Sequence, residues 1–286
     1  MATATATAID AARVESLKEK ARELRYQILT MIHHVQSGHP GGSLSAEDIV
    51  TALYFDIMRI RPEVPRWKER DRFVLSKGHA CPVLYGALAL RGYFPVEELK
   101  TLRQFESRLQ GHPVKDKAPG IEATTGSLGQ GVSMAVGMAL EGKFLKQEYT
   151  VYTMLGDGEI QEGQVYEAAE AASKFKLDNL VAIVDNNQVQ NDGFTKDVMP
   201  VENVEARFQA FGWETKRIDG HDMAQVVATL EEARDFKGKP FCIIADTKKG
   251  KGVSFMEDVK TWHHKVPSDD QLAEALAELG QARATV

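Results

Sequence analysis

The residues best suited to chemistry follow two apolar runs in the middle of the chain. The first run, residues 151–155, ends in a Gly-Asp-Gly sequence around Asp157, and the second, residues 180–184, ends in an Asp-Asn-Asn sequence that includes Asn187. A carboxylate and an amide oxygen are ligands that Mg²⁺ accepts, and the backbone carbonyl of Val189 is a third candidate. The glycines beside Asp157 let backbone N–H groups approach a phosphate closely. The pattern predicts a divalent cation that holds a diphosphate.

The segment between the two runs must position these groups. Its apolar side chains recur at helical spacing, at Val165, Ala168, Ala169, Ala172 and Phe175. Strand, helix and strand form a βαβ unit, whose two strands are parallel. Asp157 and Asn187 then emerge at the carboxyl edge of one sheet, where open α/β sheets bind ligands. A Gly-Asp-Gly alone is more often an ordinary tight turn, but its combination with a βαβ unit and an Asn pair is much more specific.

Four of the eight histidines lie beside Gly or Pro in predicted loops, at His39, His79, His112 and His263. A single histidine usually has a structural role, but four such residues suit the recognition of sugar hydroxyls and the movement of protons. A zinc site lacks the required ligand spacing, and His33 and His34 lie in the body of a predicted helix. Residues 126–131 lack the Gly-Lys-Ser/Thr ending of a P-loop, which excludes that class of nucleotide site.

Composition narrows the class of protein. Of the 286 residues, 43% are hydrophobic and 27% charged, which is typical of a soluble globular protein. A net charge of −6 without a basic stripe argues against a nucleic-acid partner, and no apolar run approaches the roughly 20 residues of a membrane span. The N-terminus lacks the features of a signal peptide. Cys81 and Cys242 have apolar neighbours, which predicts packing roles in a reducing compartment and a cytoplasmic location.

Apolar periodicity along the chain predicts alternating helices and strands. Helices are expected at 10–36, from near Ser45 to 57, at 82–91, 96–105, from 130 onward, at 204–211 and at 223–236. Further strands are expected at 72–75, 214–218 and 240–247. The alternation predicts a three-layer α/β/α fold with a largely parallel sheet. We expect a disordered tail at residues 1–12, one domain at 13–268, and an exposed C-terminal helix and tail at 269–286.

The motifs together resemble those of the transketolase family. Five of them occur in the order of that family: S-G-H-P-G at 37–41, K-G-H-A at 77–80, G-H-P at 111–113, T-G-S-L-G-Q-G at 125–131 and W-H at 262–263. The Gly-Asp-Gly and Asn-pair elements resemble the thiamine-diphosphate motif, which pyruvate dehydrogenase and acetolactate synthase relatives share without this histidine set. The resemblance covers roughly residues 20–267. It implies a thiamine-diphosphate-binding domain of the pyrophosphate type.

The resemblance also implies roles for individual residues. Asp157, Asn187 and the carbonyl of Val189 would bind Mg²⁺, for which other divalent cations such as Ca²⁺ substitute. Contacts with thiamine diphosphate would come from His79, Gly126, Ser127, Leu128, Gly158, Asn187 and His263. The sugar and its proton transfers would involve His39, His79, His112 and His263. Glu162 matches a catalytic-site carboxylate that couples two active sites across a subunit interface. Ser127 replaces a common Pro, and His264 replaces a common Gly, so the choice between His263 and His264 stays open.

The implied activity needs a second polypeptide. Complete transketolases are considerably longer, and their second half carries the pyrimidine-binding domain with the glutamate that activates the cofactor. The resemblance therefore implies the N-terminal subunit of a split transketolase, in an α₂β₂ assembly with a subunit that carries the pyrimidine-binding domain. The pair would transfer a two-carbon ketol unit between sugar phosphates of the pentose phosphate pathway. Three alternatives stay open: a deoxyxylulose-phosphate synthase-like subunit, a transketolase for an unusual sugar, and a non-catalytic paralogue.

Overall fold

The computed structural model describes residues 9–280. The strands are β1 (Arg72–Leu75), β2 (Val151–Gly156), β3 (Leu180–Asn186), β4 (Glu214–Asp219) and β5 (Phe241–Asp246). The α-helices are α1 (Ala11–Val35), α2 (Pro40–Ala52), α3 (Cys81–Leu90), α4 (Gln130–Phe144), α5 (Gly163–Lys174), α6 (Thr195–Val198), α7 (Val204–Ala210), α8 (Met223–Asp235) and α9 (Asp269–Glu278). Most of the expected N-terminal tail and residues 281–286 lie outside the described residues, and α1 begins within the span 1–12.

The five strands form one sheet in the order β1-β2-β3-β5-β4, and every neighbouring pair is parallel. Strand β3 is buried on both faces, with Val181 and Ile183 in one core and Ala182 and Val184 in the other. A strand covered on both faces reads as a continuous apolar run. Helices α1, α2, α3, α8 and α9 cover one face of the sheet, and α4, α5 and α7 cover the other. The predicted three-layer α/β/α fold is confirmed, and the loops that follow the strands meet at one edge.

Helix α2 begins at Pro40, so the predicted start near Ser45 is wrong. Proline at the first helical position has a suitable φ and lacks an N–H that would otherwise need a partner. All of α2 is buried, and a Cβ on Gly41 would lie 2.8 Å from the carbonyl oxygen of Trp262. Gly41 therefore lets the helix pack closely against the backbone at Trp262, and it does not end the helix. Ser45 does not cap the helix, because its hydroxyl donates to Asp185 at 2.6 Å.

Three other sequence predictions differ from the structure. The helix expected at 96–105 is only a 3₁₀ turn, Val96–Thr101, because Leu102 is no longer helical, with ψ of 129°, and Arg103 adopts a left-handed conformation with φ of 59°. Helix α9 was expected to be exposed, but it buries Leu272 and Leu276 against the core. Phe175 follows the last residue of α5 and is 47% exposed instead of packing with the apolar face of that helix. In each case the local apolar pattern does not reveal where the neighbouring elements lie.

The two cysteines are buried and free, as their apolar neighbours predicted. Burial raises the pKa of Cys81 to about 12, so this thiol stays protonated and unreactive near neutral pH. Among residues 9–280, the helices do not combine the length and hydrophobicity that crossing a bilayer requires.

Candidate functional site

A cleft of about 420 Å³ opens at the carboxyl edge of the sheet. Its wall includes most of the residues singled out in the sequence: His79, Gly126, Leu128, Asp157, Gly158, Glu162, Asn187, Val189 and His263. The βαβ unit delivers the two central groups, because β2 and β3 are neighbours whose pairing runs to Gly156 and Asp185. The sequence-derived site is therefore one contiguous surface.

Asp157 is deeply buried and incompletely hydrogen-bonded. Its Oδ1 accepts from the backbone N–H of Gly158 at 2.8 Å, whereas its Oδ2 has no partner within the described part of the chain. Burial, followed by the neighbouring charge of Asp185, raises the pKa of Asp157 to about 6. A buried carboxylate oxygen without a partner is costly unless a cation reaches it. This oxygen fits the predicted role of a metal ligand.

Two further oxygens complete the candidate ligand set. Asn187 Nδ2 donates to Asp185 at 3.2 Å, and its Oδ1 accepts from the backbone N–H of Val189 at 3.1 Å. The Val189 carbonyl accepts from Lys249 Nζ at 2.6 Å. Each of these oxygens keeps a second lone pair. A carboxylate, an amide and a carbonyl suit a hard cation such as Mg²⁺, and residues 9–280 contain no cluster of three His, Cys, Asp or Glu side chains of the kind that holds zinc.

Asp185 lies beneath the cleft and supports its wall through Lys77 and Asn187, a role that its place in the Asp-Asn-Asn sequence did not reveal. It is wholly buried, and its carboxylate accepts hydrogen bonds from Lys77, Ser45, Asn187 and Thr247. Burial alone would raise the pKa of Asp185, but the charge of Lys77 and these hydrogen bonds lower it overall. The ion pair fixes the end of β3 beneath Asn187. The K-G-H-A motif contains Lys77, but its pairing with Asp185 could not be predicted without the order of the strands.

Lys249 brings a buried positive charge to the candidate metal ligands. Its Nζ also contacts Nδ1 of His263 at 2.7 Å. Burial, followed by the charge of Lys77, lowers the pKa of Lys249 to about 8. A Cβ on Gly41 would lie 3.0 Å from Lys249 Cγ, so α2 packs closely against the stem of this side chain. The lysine follows β5 closely, and its position at the carboxyl end of a strand was a usable sequence signal for a place in the site.

Three of the four predicted histidines form one cluster. The ring of His39 lies 5.3 Å from that of His79 and 5.5 Å from that of His263, and the last two rings are stacked at 5.2 Å. Burial is the main cause that lowers the pKa of each ring, to about 4 for His39, to about 3 for His263 and well below the ordinary value for His79. The rings are therefore neutral near pH 7 and able both to donate and to accept hydrogen bonds. His39 Nδ1 is buried and unpartnered among the described residues.

The other predicted residues lie around this centre. Gly126 has φ of 135°, and a Cβ there would lie 2.8 Å from the ring of His112, which stands beside the cleft and outside the histidine cluster. Ser127 is exposed and does not line the cleft. Glu162 is exposed at the mouth, immediately before α5. His263 lines the cleft, whereas the exposed ring of His264 lies 6.2 Å from it.

The arrangement can hold a cation-bound diphosphate beside hydroxyl-bearing groups. Lys249 lies between the Val189 carbonyl and His263, so the candidate oxygen ligands and the uncharged imidazoles are neighbours in the cleft. Neutral imidazoles exchange protons and hydrogen-bond to hydroxyls without adding charge. The geometry thus agrees with the chemistry that the motifs indicate.

Comparisons with known proteins match this geometry. Residues 16–285 match the family model "Transketolase, thiamine diphosphate binding domain". An apulose-4-phosphate transketolase subunit from Phocaeicola vulgatus is 44% identical over 269 residues, which are 94% of this chain and 95% of that protein. A 6-deoxy-6-sulfo-D-fructose transketolase subunit from a Clostridium species is 46% identical over 263 residues, which are 92% of this chain and 96% of that protein.

Solved structures show the same fold. Transketolase from Campylobacter jejuni superposes with a TM-score of 0.88 at 36% identity, over 93% of this chain and 43% of the solved chain. Transketolase from Leishmania mexicana superposes with a TM-score of 0.89 at 30% identity, over 93% of this chain and 41% of the solved chain. This chain therefore spans less than half of those transketolases. It belongs to the transketolase family, as a thiamine-diphosphate-binding domain of the N-terminal part.

Proposed function

We propose that this chain binds thiamine diphosphate through a divalent cation and acts as one of the two kinds of subunit in a split transketolase. The observation that carries the proposal is the partnerless, buried Oδ2 of Asp157, which lies in the same cleft as Asn187 and Val189. Mg²⁺ is the cation best suited to these three oxygens, because it prefers small, hard ligands and usually shares its coordination with phosphates and water.

Individual residues have distinct tasks in this proposal. Asp157, Asn187 and the Val189 carbonyl hold the cation, and the backbone N–H of Gly158 and the ring of His79 face the diphosphate. When bound, thiamine diphosphate supplies the carbon nucleophile that carries a two-carbon fragment between sugars. The neutral rings of His39 and His263 orient the hydroxyls of the sugar and take up or return their protons. His112, at the margin of the cleft, contacts the outer part of the substrate.

A separate partner subunit is part of the same proposal. Two relatives that match this chain over nearly their whole length carry the word "subunit" in their names, whereas complete transketolases extend far beyond the matched region. We infer that a second polypeptide supplies the pyrimidine-binding domain, in an α₂β₂ assembly in the cytoplasm. Glu162, exposed at the mouth of the cleft, is the residue that we place at the interface between subunits.

Two classes of sugar are consistent with the family. Transfer between ketose and aldose phosphates of the pentose phosphate pathway is the first candidate. The second is a less common anionic sugar, which is favoured by the similarity to relatives named for apulose-4-phosphate and for 6-deoxy-6-sulfo-D-fructose. Both candidates share the ketol transfer and differ in the groups that recognise the far end of the sugar.

Co-expression with a partner subunit tests the proposed function. We expect ketol transfer only when both subunits, thiamine diphosphate and Mg²⁺ are present, and we expect Asp157→Ala to remove cofactor binding and turnover while the complex still assembles. Asp178→Ala, at the opposite edge of the sheet, is the matched control and should stay active. Full activity of this chain alone would refute the split enzyme. Assembly with cofactor binding but no turnover on any sugar would identify a non-catalytic paralogue, and release of carbon dioxide from pyruvate would identify a deoxyxylulose-phosphate synthase.

A further inference from the structure

Glu159 borders the candidate cofactor cleft and links three loops. It belongs to a short 3₁₀ turn, Glu159–Gln161, and is only 2% exposed. Its Oε1 accepts from Ser76 Oγ and from the backbone N–H of Gly129 at 2.9 Å, and its Oε2 accepts from the backbone N–H of Gly156 at 3.0 Å. One carboxylate thus contacts the loop after β1, the loop before α4 and the end of β2.

Each of the three linked residues is close in sequence to a candidate cofactor residue. Ser76 precedes His79, Gly129 directly follows Leu128, and Gly156 directly precedes Asp157. The three segments belong to different elements of the fold. A change in the position of the Glu159 carboxylate would therefore move the candidate residues relative to one another.

The loops that Glu159 connects pack so closely that little room is left for another side chain between them. A Cβ on Gly131 would lie 2.6 Å from Ser76 Cα, and a Cβ on Gly78 would lie 2.7 Å from the backbone nitrogen of Gly126. Their backbones are thus already in close contact, and polar groups between them must be satisfied locally. Helix α4 begins after Gly129, which has φ of 81° and no side chain to cap the helix. The Glu159 carboxylate accepts a hydrogen bond from the N–H of Gly129 and places negative charge at the positive end of the helix.

Only a carboxylate satisfies this set of donors. Two backbone N–H groups and one hydroxyl require three acceptor positions, and an ionised carboxylate offers acceptors alone. A glutamine in the same place would direct an amide N–H toward one of the backbone donors. Burial raises the pKa of Glu159, which the hydrogen bonds from Ser76, Gly129 and Gly156 oppose. Such a buried acid is costly in a site that must also receive a diphosphate, so its presence calls for a specific task.

We propose that Glu159 is a positioning residue, whose carboxylate sets the spacing of the three loops that carry His79, Leu128 and Asp157. The role rests on the proposed binding of a cation-bound diphosphate in this cleft. Both carboxylate oxygens of Glu159 already accept hydrogen bonds from these loops, so it takes no direct part in the reaction. It acts through the backbone of Gly129 and Gly156. Its loss should therefore change the affinity for Mg²⁺-diphosphate and the hydrogen exchange of these backbone amides together.

Hydrogen exchange and diphosphate binding on the full chain test this role. We use inorganic diphosphate with Mg²⁺ as the probe, because it needs no partner subunit. In Glu159→Gln, whichever of the Gly129 and Gly156 amides faces the new side-chain N–H should exchange at least tenfold faster than in the wild type, since its hydrogen bond to the carboxylate is lost. The affinity for Mg²⁺-diphosphate should fall at least tenfold. Glu167→Gln, an exposed residue of α5, is the control and should match the wild type in both measurements.

A second variant separates positioning from a general loss of structure. Ser76→Ala removes one of the three hydrogen bonds and leaves both backbone links in place, so its affinity should lie between those of the wild type and Glu159→Gln. If Glu159→Gln binds Mg²⁺-diphosphate with wild-type affinity, the inference is overturned, whether or not an amide exchanges faster. If Glu159→Gln does not fold, wild-type affinity in Ser76→Ala overturns it instead. The wild-type chain decides the proposed function separately, because its failure to bind Mg²⁺-diphosphate would refute that function.

Discussion

Two neighbouring aspartates should respond in opposite ways to the same substitution. Asp157 and Asp185 lie at the ends of adjacent strands, and both are buried. Asp185 is surrounded by hydrogen-bond donors and pairs with Lys77, whereas Asp157 leaves one oxygen unpartnered among the described residues. We expect Asp157→Asn to stabilise the metal-free chain near neutral pH and Asp185→Asn to destabilise it.

The pKa of Asp157 sets the magnitude of the first effect. It is raised from 3.8 to about 6, a difference of about 2 units, which corresponds to about 3 kcal/mol. Because the folded state holds the proton more tightly than the unfolded state, stability falls as the pH rises from about 4 to about 6. The full penalty applies above pH 6. Asn carries no such penalty and still accepts from Gly158, so Asp157→Asn should raise the midpoint of thermal unfolding at pH 7.5 by about 6 °C.

The second substitution leaves a buried cation without its partner. Removing one member of a buried ion pair typically costs about 3–5 kcal/mol, so Asp185→Asn should lower the free energy of unfolding by that amount. Lys77 is only 1% exposed, and its remaining hydrogen bond, to the Gly42 carbonyl, does not replace the lost charge. Urea unfolding of the metal-free chain at pH 7.5, with a second series at pH 4, measures both changes. The gain for Asp157→Asn should disappear at pH 4.

A gain in stability should accompany a loss of binding. Calorimetry with Mg²⁺ and inorganic diphosphate should show no binding to Asp157→Asn at concentrations that saturate the wild type. Such a combination identifies a residue that is kept for its ligand at a cost to the fold. If Asp157→Asn is no more stable than the wild type at pH 7.5, or binds the probe normally, the role assigned to its free oxygen is refuted.

Two further predictions concern backbone conformation and a buried hydrogen bond. Gly126→Ala should lower both the free energy of unfolding and the affinity for Mg²⁺-diphosphate, because a Cβ would lie 2.8 Å from the His112 ring at a φ that side chains rarely adopt. An unchanged unfolding midpoint and an unchanged calorimetric affinity would contradict this. Gly137→Ala is its control and should stabilise α4 by about 0.5–1 kcal/mol, because a Cβ there meets open space. Trp213→Phe should cost about 1–3 kcal/mol in urea unfolding, because it removes both the 3.0 Å hydrogen bond from the indole to the Ala169 carbonyl and part of a buried ring. A smaller change would show that the neighbouring side chains fill the space.

The βαβ unit was predictable because its signals are local. The apolar runs of β2 and β3 and the periodicity of α5 fixed a parallel pair, and the edge at which Asp157 and Asn187 emerge followed from that pairing. The histidine motifs added His39, His79 and His263, and the structure places their rings within 5.5 Å of one another. Local rules were sufficient for the centre of the site.

Groups whose partners are distant in sequence could not be predicted in this way. The carboxylate of Asp185 meets Lys77, which is 108 positions away, and its hydrogen bond with Ser45 spans 140 positions. These contacts depend on strand order and on the position of α2, neither of which the motifs specify. The start of α2 at Pro40 was missed for a related reason: Gly and Pro usually end helices, and only tertiary packing shows that here they begin one.

The buried pair of Lys77 and Asp185 has a consequence for how a ligand enters. Their charges cancel beneath the cleft, and Lys249 similarly offsets Asp157 at its wall, while the clustered imidazoles are uncharged near neutral pH. A diphosphate that arrives already joined to a divalent cation therefore meets a cleft whose buried cations are offset, and whose remaining charges are the carboxylates of Glu159 and Glu162. Ionic strength acts mainly on unbalanced, long-range attraction. Association should thus depend only weakly on salt, and recognition depends on short contacts and the loss of water inside the cleft.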